Sequence, residues 1–169
     1  MAVDIKKLTN VNVYLNGTST LGRVEEFDVP EPPYKMADFK ALGLFGETEV
    51  VTGIGKMEAR IKWSSFYKDV IPKVANPFQG RQIIIRGNVD VFENGTKSSI
   101  PAKFTLIGMP KTIPGAKFKP GDNVESESRF SCTYQKFELD GELMYEIDVF
   151  ANILKVGGQD LLAEFRANT

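Results

Sequence analysis

Two strand-like runs on either side of Asp140-Gly141 constrain this chain most, because a tight hairpin turn needs positive φ at both central residues and Asp-Gly supplies it. From Glu125 to Leu139 apolar and polar residues alternate for about fifteen residues, roughly 50 Å of extended chain, where ordinary strands run five or six. Strict alternation puts Phe130, Cys132 and Tyr134 on one face and Glu127, Arg129, Ser131 and Thr133 on the other. A long strand that is apolar on one side and wet on the other fits the outer surface of a sandwich or the wall of a water-filled channel.

The same pattern recurs upstream. Val11, Val13 and Leu15 lead into Asn16-Gly17, and a return run through Leu21, Val24, Phe27 and Val29 stops at the proline-rich segment 30–33. In residues 56–63, Met57, Ala59, Ile61 and Trp63 alternate with Lys56, Glu58, Arg60 and Lys62, the cleanest amphipathic strand in the chain. A second long hairpin flanks Asn94-Gly95, with Ile83, Ile85, Val89 and Val91 opposed to Arg86, Asn88 and Asp90. Ser64 or Ser65 can cap a helix over 64–76 whose stripe is Phe66, Val70, Ile71 and Val74, with Pro72 late in it and Asn76-Pro77 ending it. A basic loop runs from Lys111 to Lys119, and the C-terminus closes on a short helical end. The expected architecture is mainly β: an antiparallel sandwich or barrel with long hairpins and one packed helix, over a single domain 1–169.

Between the extended segment 34–41 and the strand at 56–63 lies a glycine-rich stretch, 43–55, carrying Leu44, Phe45, Glu47, Val50 and Val51. It is either a floppy hairpin loop or an arm that orders against a partner, since apolar side chains on such a loop need cover.

Composition removes most chemistry. With no histidine, the commonest general base, the Ser-His-Asp and Cys-His constellations and most catalytic zinc sites are gone, and a lone Cys132 makes no internal disulfide or cysteine cluster. A formal charge of -1 gives no electrostatic case for tight nucleic-acid binding. The N-terminus lacks a signal peptide's apolar core and no run approaches membrane-spanning length, so the expectation is a cytoplasmic chain without stable membrane binding. Glu138, Asp140, Glu142, Glu146 and Asp148 are dense, yet they flank a turn and alternate along strands, as solvated edge charges do, rather than forming a glycosidase pair or calcium loop. Gly157-Gly158 lacks the context of a phosphate loop, and Cys132 has no histidine to activate it. Tyr34, Phe39, Trp63, Phe66 and Tyr67 could stack on sugars, but packing is their ordinary fate. No catalytic, cofactor or metal residue is assigned.

In their order along the chain, Leu15-Asn16-Gly17, Gly22-x-Val24, Val29-Pro30, the glycine-rich stretch from Ala41 to Gly53 and Met57-Glu58-Ala59 form the first half of a pattern. Cys132-Thr133-Tyr134, Asp140-Gly141, Glu146-Ile147-Asp148 and Val156-x-Gly158-x-Asp160-x-Leu162 complete it. In these residues the chain resembles the major tail tube proteins of contractile-tailed phages and R-type pyocin-like particles, over nearly its whole length. The resemblance implies hexameric rings stacked into a hollow tube, with strands from all subunits closing a shared β-barrel lumen. It implies a virion component assembled in the host cytoplasm, with a sheath outside, a tape-measure protein in the lumen during assembly, baseplate and tail terminator proteins at the ends, and transient passage of DNA if the particle is a phage. Alternation then nominates Glu58, Arg60, Lys62, Ser99, Lys103, Thr105, Glu127, Arg129, Ser131 and Thr133 as lumen-lining residues, and 43–55 as an inter-ring arm. A tube protein of the type VI secretion kind shares this architecture, and a carbohydrate-binding β-sandwich is the alternative of another class.

Overall fold

The computed structural model describes residues 5–43, 45–93, 95–122 and 124–169. In chain order the elements are β1 (Ile5–Leu15), β2 (Thr18–Ser19), β3 (Val24–Asp28), β4 (Tyr34–Phe39), β5 (Thr48–Ile54), β6 (Met57–Trp63), α1 (Ile71–Ala75), β7 (Arg81–Glu93) and β8 (Thr96–Pro110). They continue with β9 (Gly115–Lys117), β10 (Glu125–Leu139), β11 (Glu142–Asp148), β12 (Ile153–Val156), β13 (Gln159–Asp160) and α2 (Ala163–Ala167). The fold is mainly β. All ladders are antiparallel: an 11-stranded sheet holds every strand except β4 and β5, which form a two-stranded sheet of their own. Asp140 and Gly141 take φ of 53° and 80°, the double positive turn that their sequence demands. Asn94 lies outside the described residues, but β7 and β8 pair from Arg81↔Gly108 to Glu93↔Thr96 without a register break.

The central ladder runs β3-β6-β10-β8-β7-β1, with β3 and β1 at its two edges. Residues 20–23 bridge them: the Thr20 amide and hydroxyl both donate to the Val13 carbonyl, at 2.8 and 2.7 Å, and the Ser64 amide donates to the Arg23 carbonyl at 2.9 Å. Side chains that alternate inward fill this half-closed barrel. Val13, Leu15, Met57, Ala59, Ile61, Trp63, Ile83, Ile85, Leu106, Phe130 and Cys132 are all buried in one cluster. At ~1.5–3 kcal/mol for each large side chain taken out of water, this cluster is the main source of stability. The buried indole N–H of Trp63 donates to Ser128 Oγ at 2.9 Å, so its polar edge is satisfied.

Helix α1 lies against this core through Val70 and Val74, and it is much shorter than the expected 64–76. Pro72 stands in its first turn, where a missing N–H costs nothing, so proline starts this helix instead of interrupting it. Ser64 is not a cap: its hydroxyl bonds the Arg23 carbonyl at 3.1 Å and the Tyr67 hydroxyl at 2.8 Å. Phe66 and Ile71, counted on the buried stripe, are exposed.

Strand β10 departs from strict alternation at Thr133. Its register with β8 shifts between Cys132 and Tyr134, its pairing with β6 ends at Cys132, and its pairing with β11 begins at Tyr134. An extra residue here lets one strand exchange neighbours on the same side. It also corrects the predicted facing: Gln135, not Tyr134, follows Cys132 on the buried side.

Candidate functional site

Outward alternation on β6 and β10 places Glu58, Arg60 and Lys62 directly beside Ser131, Arg129 and Glu127. The structure thus brings together six of the nominated residues as one contiguous charged patch. Its two arginines face each other across the ladder, an arrangement that would repel without intervening acids. Glu127 supplies them: one carboxylate oxygen accepts from Arg129 Nε at 2.6 Å, and the other lies 3.4 Å from the Arg60 guanidinium. Arg60 Nε also donates to Asp28 of β3 at 2.5 Å. Lys62 Nζ sits between Glu25 at 3.3 Å and Glu125 at 3.4 Å, and Glu58 pairs with Lys111.

These contacts shift the titrations. The hydrogen bond from Lys111 holds the Glu58 carboxyl below its ordinary range, and the bond from Arg129 does the same for Glu127. The bond to Asp28 raises Arg60, and the bond to Glu25 raises Lys62. The face is dense in charge yet internally neutralised.

On β8, Lys103, Thr105 and Ser99 share the outward parity, opposite Arg86, Ile84 and Asp90 of β7. Lys103 and Thr105 also face Glu138 and Lys136 of β10, so the bulge carries the outward face on to these two side chains. Glu138 lies 3.0 Å from Lys136 and 3.5 Å from Lys103. Thr133 occupies the bulge itself, its carbonyl accepting from the Val149 amide at 3.0 Å. Sequence reasoning missed Asp28, Lys111, Lys136 and Tyr134 as members of this surface. Tyr134 donates to Glu146 at 2.9 Å, and burial together with that carboxylate raises its phenol. At the far end of the hairpin the buried carboxylate of Asp90 accepts from Thr9 at 2.9 Å and pairs with Lys97 at 2.8 Å. Cys132 is buried, and desolvation pushes its thiol up to about 11.

Of the carboxylates around the last hairpin, Glu138, Glu146 and Asp148 each have partners of their own. Glu146 pairs with Lys155 at 3.3 Å, and Asp148 accepts from the amides of Phe150 and Ala151, each at 3.0 Å. Gly157 and Gly158, with φ of 56° and 82°, form the reverse turn between β12 and β13.

The second surface is the arm. Where a glycine-rich loop is expected over 43–55, residues 48–54 form β5 and pair with β4 from Tyr34↔Ile54 to Phe39↔Thr48. The β-branched run of Val50, Val51 and Thr52 outweighs the glycines around it. The hairpin stands apart from the main sheet, joined to the core through Ile54. Tyr34, Met36, Phe39, Val50 and Val51 are all about half exposed, and at the tip Leu42 and Phe45 are 106% and 110% exposed. Glu47 pairs with Lys40 across the tip at 2.6 Å, and Leu44 lies outside the described residues.

The family model described as phage tail tube protein FII matches residues 5–169. The chain is 28% identical over 165 residues to the tail tube protein of Escherichia phage P2, covering 96% of each chain. It is 24% identical over 158 residues to the major tail tube protein of Serratia phage KSP20, covering 92% of this chain and 90% of the other.

Proposed function

We propose that this chain, which belongs to the phage tail tube protein FII family, builds the inner tube of a contractile tail by stacking hexameric rings. The family match along residues 5–169 carries the proposal, and the unpaired strand edges support it. Among the described residues, β1 pairs with β7 on one side and with β2 only at Tyr14 and Leu15 on the other. At the opposite end β3 pairs only with β6. Exposed edges of this kind template uncontrolled association unless they are paired, and a barrel shared between subunits in a ring leaves none open.

In this assembly the outward face carrying Glu58, Arg60, Lys62, Ser99, Lys103, Thr105, Glu127, Arg129, Ser131 and Thr133 lines the lumen. Its cations are matched by acids, so a passing polyanion meets no net positive wall and is not retained. The subunit's solvated side faces the channel while its apolar side stays in its own core. The hairpin β4–β5 reaches the adjacent ring. Sheath outside, tape-measure protein within, and baseplate and terminator proteins at the ends complete the particle, and DNA crosses the lumen in a phage.

Negative-stain microscopy of the purified protein over a range of concentrations tests the proposal. Rings with a central hole, stacking into tubes as concentration rises, are the expected result. A species that remains monomeric at all concentrations, in low salt and in high, overturns it.

A further inference from the structure

The base of the arm forms one wall of an apolar groove of about 350 Å³. Tyr34, Val51 and Ile54 stand on that wall, and the β11–β12 hairpin and α2 form the other, with Ile147, Leu154 and Phe165. Apolar lining and a volume equal to roughly ten waters make it a place where an apolar occupant gains by displacing solvent. We propose that the occupant is the arm tip of a second copy of this chain, with Leu42 and Phe45 entering the groove. The proposal rests on the tube reading above and names the receptor for its inter-ring contact.

Three observations select this occupant. Leu42 and Phe45 are the most exposed large apolar side chains among the described residues, so the chain itself carries uncovered groups of the chemistry the groove takes. A chain cannot fill its own groove, because the seven residues of β5 separate tip from base by roughly 20 Å at a strand's rise, and folding the tip back would break the β4–β5 ladder. The area is also sufficient: Met36, Phe39, Leu42, Phe45 and Val50, the exposed apolar residues of the arm that do not line the groove, offer on the order of 600–800 Å², close to the roughly 800 Å² per partner of a stable interface.

The base of the arm is built to hold such a lever. The Gly55 amide donates to the Pro33 carbonyl at 2.7 Å, and a Cβ on Gly55 would stand 2.8 Å from the Pro33 ring, so the two ends of the hairpin are clamped together. A knob and a socket at different places on one chain make a heterologous contact that repeats without closing, which generates a filament.

The test uses the full chain and three proteins. The double variant Leu42→Asp/Phe45→Asp lacks the knob, and Phe165→Asp spoils the socket. Each alone should form rings and no tubes, whereas their mixture should form pairs of stacked rings, since one intact knob meets one intact socket and propagation ends there. Independently, Phe45→Cys combined with Phe165→Cys should give a ladder of oxidised oligomers from tubes, while neither single variant does. Double-cysteine tubes with no ladder, or charged variants that still elongate, overturn the groove assignment and leave the tube reading standing. A wild-type chain that forms neither rings nor tubes overturns both.

Discussion

Gly108 of β8 pairs with Cys132 of β10 in the antiparallel ladder, and a methyl group there has nowhere to go. A Cβ on Gly108 would stand 2.9 Å from the Ser131 carbonyl oxygen, 3.0 Å from Cys132 Sγ and 3.3 Å from Cys132 Cα. The sulfur can rotate aside, but the carbonyl belongs to the ladder and can retreat only if β10 moves. Gly108→Ala should therefore behave as an overpacked core position, costing about 1–3 kcal/mol, which for a chain of this size lowers Tm by roughly 3–9 °C. Gly115→Ala is the control: it too sits in a strand, yet a Cβ there meets nothing within 4 Å. Adding Cys132→Ala to Gly108→Ala removes one of the two closest contacts, so the double variant should melt higher than the sum of the single effects predicts. Thermal denaturation followed by circular dichroism measures the parent, the single variants Gly108→Ala, Gly115→Ala and Cys132→Ala, and the double variant. If Gly108→Ala melts within about 1 °C of the parent, the pairing of β8 with β10 is looser than described and the reasoning fails.

Four further outcomes are expected. With its thiol at about 11, Cys132 carries about one thiolate per thousand molecules at pH 8, so a disulfide reagent should label it at least ~200-fold more slowly in the folded protein than in urea; rates within tenfold of each other would place it on the wrong face. Glu58 and Glu127, held below 4.5, stabilise the fold above that pH and lose the contribution as pH falls, whereas Cys132 and Lys62, held above their ordinary values, stabilise it at lower pH and lose the contribution as pH rises, the thiol first; with no histidine, Tm should be flat from about pH 5 to 8 and fall on both sides, and a step near pH 6.5 would contradict this. Replacing residues 40–47 by Asn-Gly, to join β4 directly to β5, should change the subunit's Tm by less than about 2 °C and abolish tube elongation in electron micrographs; normal elongation would reduce the arm to a loop. Ser131→Lys adds a cation to the proposed lumen and should leave tubes intact while slowing DNA passage in a salt-dependent way, so unchanged infectivity with normal tubes would remove Ser131 from the lumen.

Much of this architecture is visible in the sequence because its signals are local. Asp140-Gly141 fixes a turn by backbone conformation alone, and the alternation from Met57 to Trp63 fixes which side of β6 is wet before any partner strand is known. The bulge at Thr133 is different. Thr133 and Tyr134 each suit either face of a strand, so nothing local marks the extra residue; only the change of neighbour from β6 to β11 requires it. Asp28 and Lys111 escaped notice for the same reason, since their place beside Arg60 and Glu58 depends on register between segments far apart in sequence. In contrast, the helix boundary was legible: proline belongs in a first turn, and applying that rule to Pro72 would have moved the start of α1 toward Ile71.

The position of the core decides how folding and assembly are related. Ile61, Ile83, Leu106 and Phe130 are each 0% exposed in one chain, so burying them needs no neighbour, and the half-barrel can fold before it meets another copy. The arm contributes little to that core, apart from Ile54 at its base, and the outer backbone edges of β1 and β3 are separate from the side chains, such as Val13 and Leu15, that β1 buries. Lesions should then separate into two groups. Gly108→Ala should lower the melting temperature but still give tubes at temperatures where the subunit is folded, while loss of residues 40–47 should leave melting almost unchanged and prevent stacking. A single lesion class, in which every destabilised core also loses assembly in proportion and every arm variant melts early, would mean that the core is completed only in the ring.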